Sequence, residues 1–172
     1  MTEFLAAMTG ALVGALMVFV AELWRQILAG KAAARLIRVE LHSNSLICEQ
    51  MAKGYAHRYL SDAIWQAHSV EVVPLLTSEA VETTATAYLG LPLTNHLIDE
   101  LVELGQEAAV GADIATDLES HSMDFRKAAY WMYAVESKGR FRTLIELLRN
   151  RIVQHPGEMV EKGVKVIDSQ TD

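Results

Sequence analysis

Cysteine, proline and glycine are scarce in this 172-residue chain. Cys48 is the one cysteine, so the chain can form no internal disulfide, and a reducing compartment is the expected setting. Three prolines and ten glycines leave little material for long linkers. The hydrophobic share of 51% and the charged share of 22% are ordinary for a folded protein. Beyond its N-terminal segment the chain is therefore long enough for one modest domain.

Charge is absent from Phe4 to Ala21. With Leu23 and Trp24 the apolar segment reaches about 21 residues, or roughly 31 Å of helix, which matches a hydrocarbon core about 30 Å thick. A cleaved signal peptide would have a positive N-terminal region and a shorter apolar stretch. A core helix of a soluble protein would carry a polar stripe. The segment therefore favours a transmembrane anchor at residues 1–24 over these two alternatives.

Basic residues are also missing before this segment, where Glu3 is the one charged residue. After it come Arg25, Lys31, Arg35 and Arg38. Because basic flanking residues stay in the cytoplasm, we expect the N-terminus to face outward and the rest of the chain to lie inside. The predicted location is the bacterial inner membrane, with these four basic side chains facing anionic lipid headgroups.

Lysine and arginine are absent from residues 59–125, a stretch that holds 12 acidic residues. Residues 25–58 hold six basic and two acidic residues, a net +4, and residues 126–151 hold seven and two, a net +5. A nucleic-acid-binding protein needs a net basic surface, so we expect no nucleic acid partner. Two interpretations stay open. Basic and acidic helices are simply packed beside one another, or a basic region at the lipid surface carries an acidic distal lobe that binds an unidentified basic protein.

Recognisable catalytic and metal-binding motifs are lacking. The six histidines form no His-x-x-x-His or His-Glu-x-x-His pattern, and neither Gly-x-Ser-x-Gly nor a Gly-rich phosphate loop occurs. The nearest approaches to a metal site are two helical groups: Asp117, His121 and Asp124, and His96, Asp99 and Glu100. Because a solvated acidic helix face gives the same pattern, we predict no catalytic, cofactor-binding or metal-ligating residue and no cofactor.

Apolar residues recur at helical spacing almost throughout, which predicts an all-α fold. The best strand candidate, VEVVPLL, contains Pro74, which a strand interior disfavours. We expect the anchor to continue into a juxtamembrane helix over 25–60, followed by a cytoplasmic helical domain over 61–155 and a polar tail over 156–172.

Capping residues and helix breakers divide the cytoplasmic part. The predicted N-caps are Ser61 or Asp62 for one helix and Thr77 or Ser78 for the next. The predicted helix ends are Pro74, Gly90–Pro92 and Gly111. The segment after Gly111 is predicted as one long helix or as two helices broken near Gly139.

Two stretches after the anchor carry a resemblance. ARLIRVELHSN places Glu40 and Asn44 four residues apart, and DAIWQAHSVEVVPLLTSEAVETTATAY reads as a tryptophan helix, a short turn and a helix ending in tyrosine. This arrangement resembles a loose group of small single-pass helical proteins of bacteria, especially actinobacteria and their phages. The resemblance covers roughly residues 1–100, and it implies an architecture and no activity.

Small residues line the apolar segment. Gly10 and Gly14 form a Gly-x-x-x-Gly motif, and Ala6 extends the same strip. In lipid, helices associate by close backbone approach through small residues. The motif therefore predicts self-association of the anchor through Gly10 and Gly14, although small residues also occur in anchors that do not pair.

A heptad seam follows in the juxtamembrane helix, because apolar residues alternate at spacings of three and four. Its main positions are Ile37, Leu41, Asn44, Cys48 and Met51. A lone asparagine in such a seam favours a defined register and parallel pairing at some cost in stability. The seam predicts a homodimer, but it could equally pack against other helices of the same chain.

Together these features favour a membrane-anchored cytoplasmic helical scaffold or interaction subunit that self-associates. Two other function classes stay open. One is an enzyme whose site is assembled across several helices. The other is a phage or prophage membrane accessory protein that acts in exclusion or lysis control.

Overall fold

A computed structural model describes residues 2–55, 58–103 and 112–153, and the regular structure in these ranges is helical. The helices are α1 (Thr2–Ala52), α2 (Ala63–Val72), α3 (Ser78–Leu89), α4 (Leu91–Glu103), α5 (Ala112–Ser137) and α6 (Arg140–Val153). A 3-10 turn at Val73–Leu75 follows α2. The prediction of an all-α fold with a long apolar N-terminal helix is confirmed. The predicted tail at 156–172 lies outside the described residues.

The first helix, α1, has two parts with different surroundings. Its 51 residues extend about 76 Å at about 1.5 Å per residue. From Glu3 to Ala21 every side chain that the structure describes is exposed. From Leu23 onward one face of the helix is buried, beginning with Leu23 and Ile27. We call residues 3–21 of α1 the projecting segment, because they extend beyond the packed helices.

The buried part of α1 packs mainly against α5. Ser45 lies beside Ser122, with 3.0 Å between their Oγ atoms, and Arg38 lies beside Glu136. Residue numbers rise along one helix as they fall along the other, so the two helices are antiparallel. The remaining helices pack around this pair, α2 on α1 and α3 on α5, and share one hydrophobic core with it.

Helix α2 returns along α1 toward the projecting segment. Its first turn contacts Glu40, and the 3-10 turn after it lies against Gly30, where an added Cβ would be 2.6 Å from the Glu71 carbonyl oxygen. The absence of a side chain at Gly30 is therefore what lets α2 approach α1 this closely. We call this end of the bundle, around Leu23–Lys31, the basal end, and the opposite end, around Met51, the distal end.

Helix α6 lies at the basal end. It contacts α1 and the 3-10 turn, and the Arg140 guanidinium lies over the Trp24 ring, 6.0 Å from its centroid. The Lys31 ammonium donates hydrogen bonds to the Glu136 and Lys138 carbonyls, where α5 ends. The burial of Thr143 and Leu147 shows which face of α6 covers the bundle.

The end of α1 differs from the prediction. The helix ends at Ala52 and does not continue to residue 60. Gly54 takes a positive φ of 76°, the Gly54 amide donates to the Met51 carbonyl, and the Tyr55 amide donates to the Gln50 carbonyl. These two bonds form a Schellman motif, which needs a left-handed residue and favours glycine there.

Other helix boundaries follow the predicted signals. Thr77 caps α3, since its Oγ1 accepts a hydrogen bond from the Ala80 amide at 3.2 Å. The segment after residue 111 is two helices separated at Gly139, one of the two predicted possibilities. Pro92 was predicted to be part of a helix end. It lies instead in the first turn of α4, a position that tolerates proline.

Candidate functional site

A buried carboxylate joins α1 to the start of α2. The Glu40 side chain is 5% exposed, and its two oxygens accept hydrogen bonds from the amides of Ile64 at 2.9 Å and Trp65 at 3.1 Å. The Ser61 hydroxyl donates to the same carboxylate at 3.1 Å. The first amides of a helix have no partner inside that helix and carry a partial positive charge. Glu40 therefore supplies the N-terminal cap of α2 from another helix.

Two asparagines bind the extended backbone just before α2. Asn44, buried on α1, donates to the Ser61 carbonyl at 2.7 Å and accepts from the Ser61 amide at 3.1 Å. Asn95, on α4, does the same for Leu60, with distances of 3.2 and 2.8 Å. Each amide side chain satisfies both backbone polar groups of one residue, so the segment is held without secondary structure of its own.

Aromatic side chains close this region. The rings of Trp65 and Tyr88 stack with centroids 5.1 Å apart, and Phe125 meets Tyr88 edge to face at 6.4 Å. The Tyr88 hydroxyl donates to Glu40 at 2.8 Å. Burial, together with this hydrogen bond and the negative charge of Glu40, raises the pKa of Tyr88 far above its usual value. The phenol therefore stays protonated and remains a donor.

We call this set the polar centre: Glu40, Asn44, Ser61, Tyr88 and Asn95. Its Glu40 carboxylate accepts from four donors, so its acceptor capacity is largely used within the protein. This arrangement favours a structural role, in which the polar centre links α1, α2, α3 and α4. A general base would instead need a free lone pair that faces a substrate. Glu40, Asn44, the tryptophan and the tyrosine of the resemblance are thus brought together in one place.

A second polar cluster joins the distal halves of α1 and α5. The buried hydroxyls of Ser45 and Ser122 bind one another at 3.0 Å, and Ser122 donates to Glu49 at 3.0 Å. Arg126 forms an ion pair with Glu49 and donates to the Ser45 hydroxyl at 3.3 Å. Each of these side chains contacts a residue of the other helix, so the cluster fixes the alignment of α1 with α5.

The predicted seam lies inside one chain. Ile37, Leu41, Asn44, Cys48 and Met51 are all at most 1% exposed, and the face that they form packs within the bundle. Of the two possibilities that the spacing left open, packing against other helices of the same chain is the one observed. Asn44 binds Ser61 of its own chain, so its position in the seam has an intrachain explanation. Burial raises the pKa of the Cys48 thiol to about 12, which disfavours the reactive thiolate.

The four basic residues predicted to face lipid are in different surroundings. Arg25 is exposed and pairs with Glu22 at 2.9 Å, and Arg35 is exposed. Lys31 and Arg38 are turned toward α5. Arg38 pairs with Glu136 at 2.9 Å without the alignment of a hydrogen bond and lies over the Tyr133 ring. Burial, followed by the positive charge of Arg140, lowers the pKa of Lys31.

Of these four residues, Arg25 and Arg35 are exposed, whereas Lys31 and Arg38 contact partners inside the protein. Both were assigned from their distance along the chain, which does not show the side of α1 on which a side chain lies. The packing of α5 and the start of α6 against that side directs both residues to partners inside the protein.

Gly10 and Gly14 lie in the projecting segment. A Cβ added at either position would meet no atom within 4 Å. Packing against the described residues therefore does not require glycine at either position, and no described residue blocks the approach of a neighbouring helix to the backbone at either.

The two histidine groups considered as metal sites do not assemble. His121 contacts the buried Thr94 hydroxyl and lines an open pocket of about 300 Å³ with Thr86, Gly90 and Asp124 among its walls. His96 pairs with Glu100 at 3.4 Å on an exposed face of α4. Among the described residues, no three histidine, cysteine or acidic side chains come together as metal ligands would.

Sequence reasoning did not identify Glu40 or Asn95 as linking residues. One signal was available for Glu40: it is an acidic residue in a helix whose neighbours one turn away, Ile37 and Leu41, are apolar. An acidic side chain on such a face needs donors from another element. Its partners come from residues 61–88, and spacing alone does not identify them.

Comparisons with protein-family models, with curated proteins and with solved structures found no match to this chain.

Proposed function

We propose that this protein is a single-pass inner-membrane protein whose α-helical cytoplasmic domain acts as a scaffold or interaction subunit and self-associates. The N-terminus would lie outside the cytoplasm, with the anchor at residues 1–24. The observation that carries the proposal is the projecting segment, which is apolar, helical and not covered by the other residues that the structure describes.

Energetics favour a bilayer around the projecting segment. Nine large apolar side chains are at least 45% exposed between Phe4 and Val20. Removing a fully exposed side chain of this kind from water is worth about 1.5–3 kcal/mol, so at these exposed fractions the nine together would cost on the order of 8–16 kcal/mol in water. That is comparable to the net stability of most domains, about 5–15 kcal/mol. One helix of the described chain, α1, is long and apolar enough to cross a membrane.

The flanks of the segment support the orientation. Trp24, 38% exposed, follows the apolar residues directly, as interfacial aromatic residues do. Arg25 lies next to it, and α6 brings Arg140 to the same level. Basic residues therefore surround the proposed cytoplasmic exit of the helix, although Lys31 and Arg38 are engaged within the protein.

The acidic residues are divided between the two ends of the bundle. Glu71 and Glu79 lie near the 3-10 turn at the basal end. The exposed acids on α4 and the first half of α5 belong to the distal end: Asp99, Glu100, Asp113, Asp117 and Glu119. We propose that this distal group is the surface offered to a basic protein partner, a narrower surface than the whole stretch 59–125.

A topology experiment tests the membrane location. We expect a cytoplasmic reporter fused after Asp172 to be active and a reporter that works only outside the cytoplasm to be silent, because the basic flank follows the anchor. We also expect the protein to stay with the membrane pellet through a carbonate wash.

Two outcomes would contradict this prediction. Activity of the external reporter would reverse the orientation, and a mature N-terminus between Ala21 and Ala34 would mean a cleaved signal. A variant with Arg25→Glu and Arg35→Glu serves as a matched test, since it should weaken the orientation and leave the fold intact, both side chains being exposed.

Self-association predicts a crosslinked homodimer in membranes. Replacing Gly10 and Gly14 together by isoleucine should remove most of the dimer, because bulky side chains prevent close approach of the two backbones. The measurement is the dimer fraction after crosslinking, with mass spectrometry to identify any other crosslinked protein.

Leu12→Ile with Leu16→Ile is the matched control, since it changes exposed residues on the opposite side of the helix. An equal dimer fraction in the glycine variant and the control would mean that the motif does not mediate pairing. If neither variant nor the unaltered chain crosslinks, the protein is a monomeric anchored domain.

A further inference from the structure

The exposed face of α6 combines apolar and basic side chains. Phe141 is 72% exposed and Ile145 is 52% exposed. They are four residues apart, and Arg149 follows after four more, so the three share one side of the helix. Thr143 and Leu147, on the opposite side, are buried in the bundle. Helix α6 therefore has a buried face and a second apolar face that no described residue covers.

This second face is strongly basic at its edges. Residues 138–151 contain five lysines and arginines and one acidic residue, Glu146. The Glu146 carboxylate already pairs with Lys138 at 2.7 Å and with Arg142 at 3.6 Å. An apolar strip with basic borders is the pattern of helices that lie in the interface of a membrane with anionic lipids.

The position of α6 in the fold indicates which membrane surface it would meet. Its first residue, Arg140, lies over Trp24, which is the last residue of the proposed anchor. Lys31 fixes the carbonyl ends of α5 immediately before α6. Acidic residues at the same end lie on other helices: Glu71 and Glu79 on α2 and α3, Glu22 paired with Arg25 on α1, and Glu136 paired with Arg38 at the end of α5. The uncovered face of α6 therefore keeps its basic character.

We propose that the exposed face of α6 lies on the anionic cytoplasmic surface of the membrane beside the anchor, with Phe141 and Ile145 inserted at headgroup depth. This inference rests on the proposed membrane location. It provides a second contact between the domain and the bilayer, which holds the domain against the membrane and leaves its distal end facing the cytoplasm.

Depth-dependent fluorescence quenching tests the inference on the full chain. The protein is reconstituted in vesicles of phosphatidylcholine and phosphatidylglycerol at 7:3, in a Cys48→Ala background. Single cysteines introduced by Phe141→Cys or Ile145→Cys carry an environment-sensitive fluorophore. Met123→Cys on α5, exposed and near the distal end, is the solvent control, and Met17→Cys is the control for insertion of the anchor.

We expect lipids with a shallow spin label to quench the probes at 141 and 145 at least twofold more than the probe at 123. The excess should fall in vesicles of phosphatidylcholine alone, because these lack the anionic lipid. It should also fall in an Arg142→Glu, Arg149→Glu variant, because this variant lacks the basic border. Circular dichroism of each variant reports that the helical fold is kept.

Three results would overturn the proposal. Quenching at 141 and 145 equal to that at 123, with strong quenching at 17, would refute the α6 contact and leave the anchor intact. Protection of 141 from aqueous iodide without lipid quenching would show a protein contact on this face. Lack of quenching at 17 would refute the membrane location and the α6 contact together.

Discussion

Glu40→Ala is expected to reduce the free energy of unfolding by about 3–5 kcal/mol, a large part of the stability of a small domain. The substitution leaves the amides of Ile64 and Trp65 and the Tyr88 hydroxyl without their acceptor in a buried region. Each unsatisfied buried donor costs about 1–3 kcal/mol. The measurement is urea unfolding of the detergent-solubilised full chain, followed by circular dichroism and by fluorescence of Trp65 and the other tryptophans.

Glu40→Gln separates the loss of charge from the loss of an acceptor. Glutamine keeps one acceptor oxygen and adds two donors in a place that offers donors already, so we expect an intermediate loss of about 1–2 kcal/mol. Glu82→Gln on the exposed side of α3 is the surface control and should stay within about 0.5 kcal/mol. A Glu40→Ala variant within 1 kcal/mol of the unaltered protein would mean that the polar centre does not hold the helices together.

Gly30→Ala is expected to destabilise the protein by about 2 kcal/mol, although alanine is the better helix former. The exchange gains about 1 kcal/mol of helix propensity. Against this, the new Cβ would lie 2.6 Å from the Glu71 carbonyl oxygen and would also meet the Leu75 side chain. The backbone oxygen cannot rotate away, so α2 and the 3-10 turn must shift from α1. Thermal unfolding of the same detergent-solubilised chain measures the change.

Gly139→Ala is the matched control for this effect. A Cβ at Gly139 would meet nothing within 4 Å, and its φ is not positive. We therefore expect a change within about 0.5 kcal/mol. If Gly30→Ala instead raised the stability, α2 would not pack as closely on α1 as the fold described above requires.

Local signals predicted the elements of this fold well. Helical spacing indicated the helices, Thr77 or Ser78 as a predicted cap marked the start of α3, and Gly139 marked a possible break that the structure contains. These features depend on interactions within a few residues, which a single sequence contains in full. The end of α1 was missed because apolar spacing continues past Ala52, while the left-handed Gly54 stops the helix.

The sequence alone could not predict which element covers each buried helix face, and the reason is physical. The spacing of Ile37, Leu41 and Met51 shows that one side of α1 is covered. This spacing would be the same whether a second chain or α5 covered that side. Glu40 is a further example. Its carboxylate oxygens accept hydrogen bonds from the amides of residues 64 and 65, which only the tertiary fold brings near. The same holds for Lys31 and Arg38, whose side of α1 is decided by the packing of α5.

Helix α1 continues without a break from the projecting segment into the core, and this makes it a lever. In the proposed membrane setting, no hinge separates the part in lipid from the part that carries the bundle, so any tilt of the span is a tilt of the whole domain. From Trp24 to Ala52 the helix extends about 42 Å. At a tilt of about 20°, common for single spans, its distal end is displaced sideways by about 14 Å. Bilayer thickness, which influences tilt, would thereby change how far the distal acidic surface lies from the membrane normal that passes through the anchor.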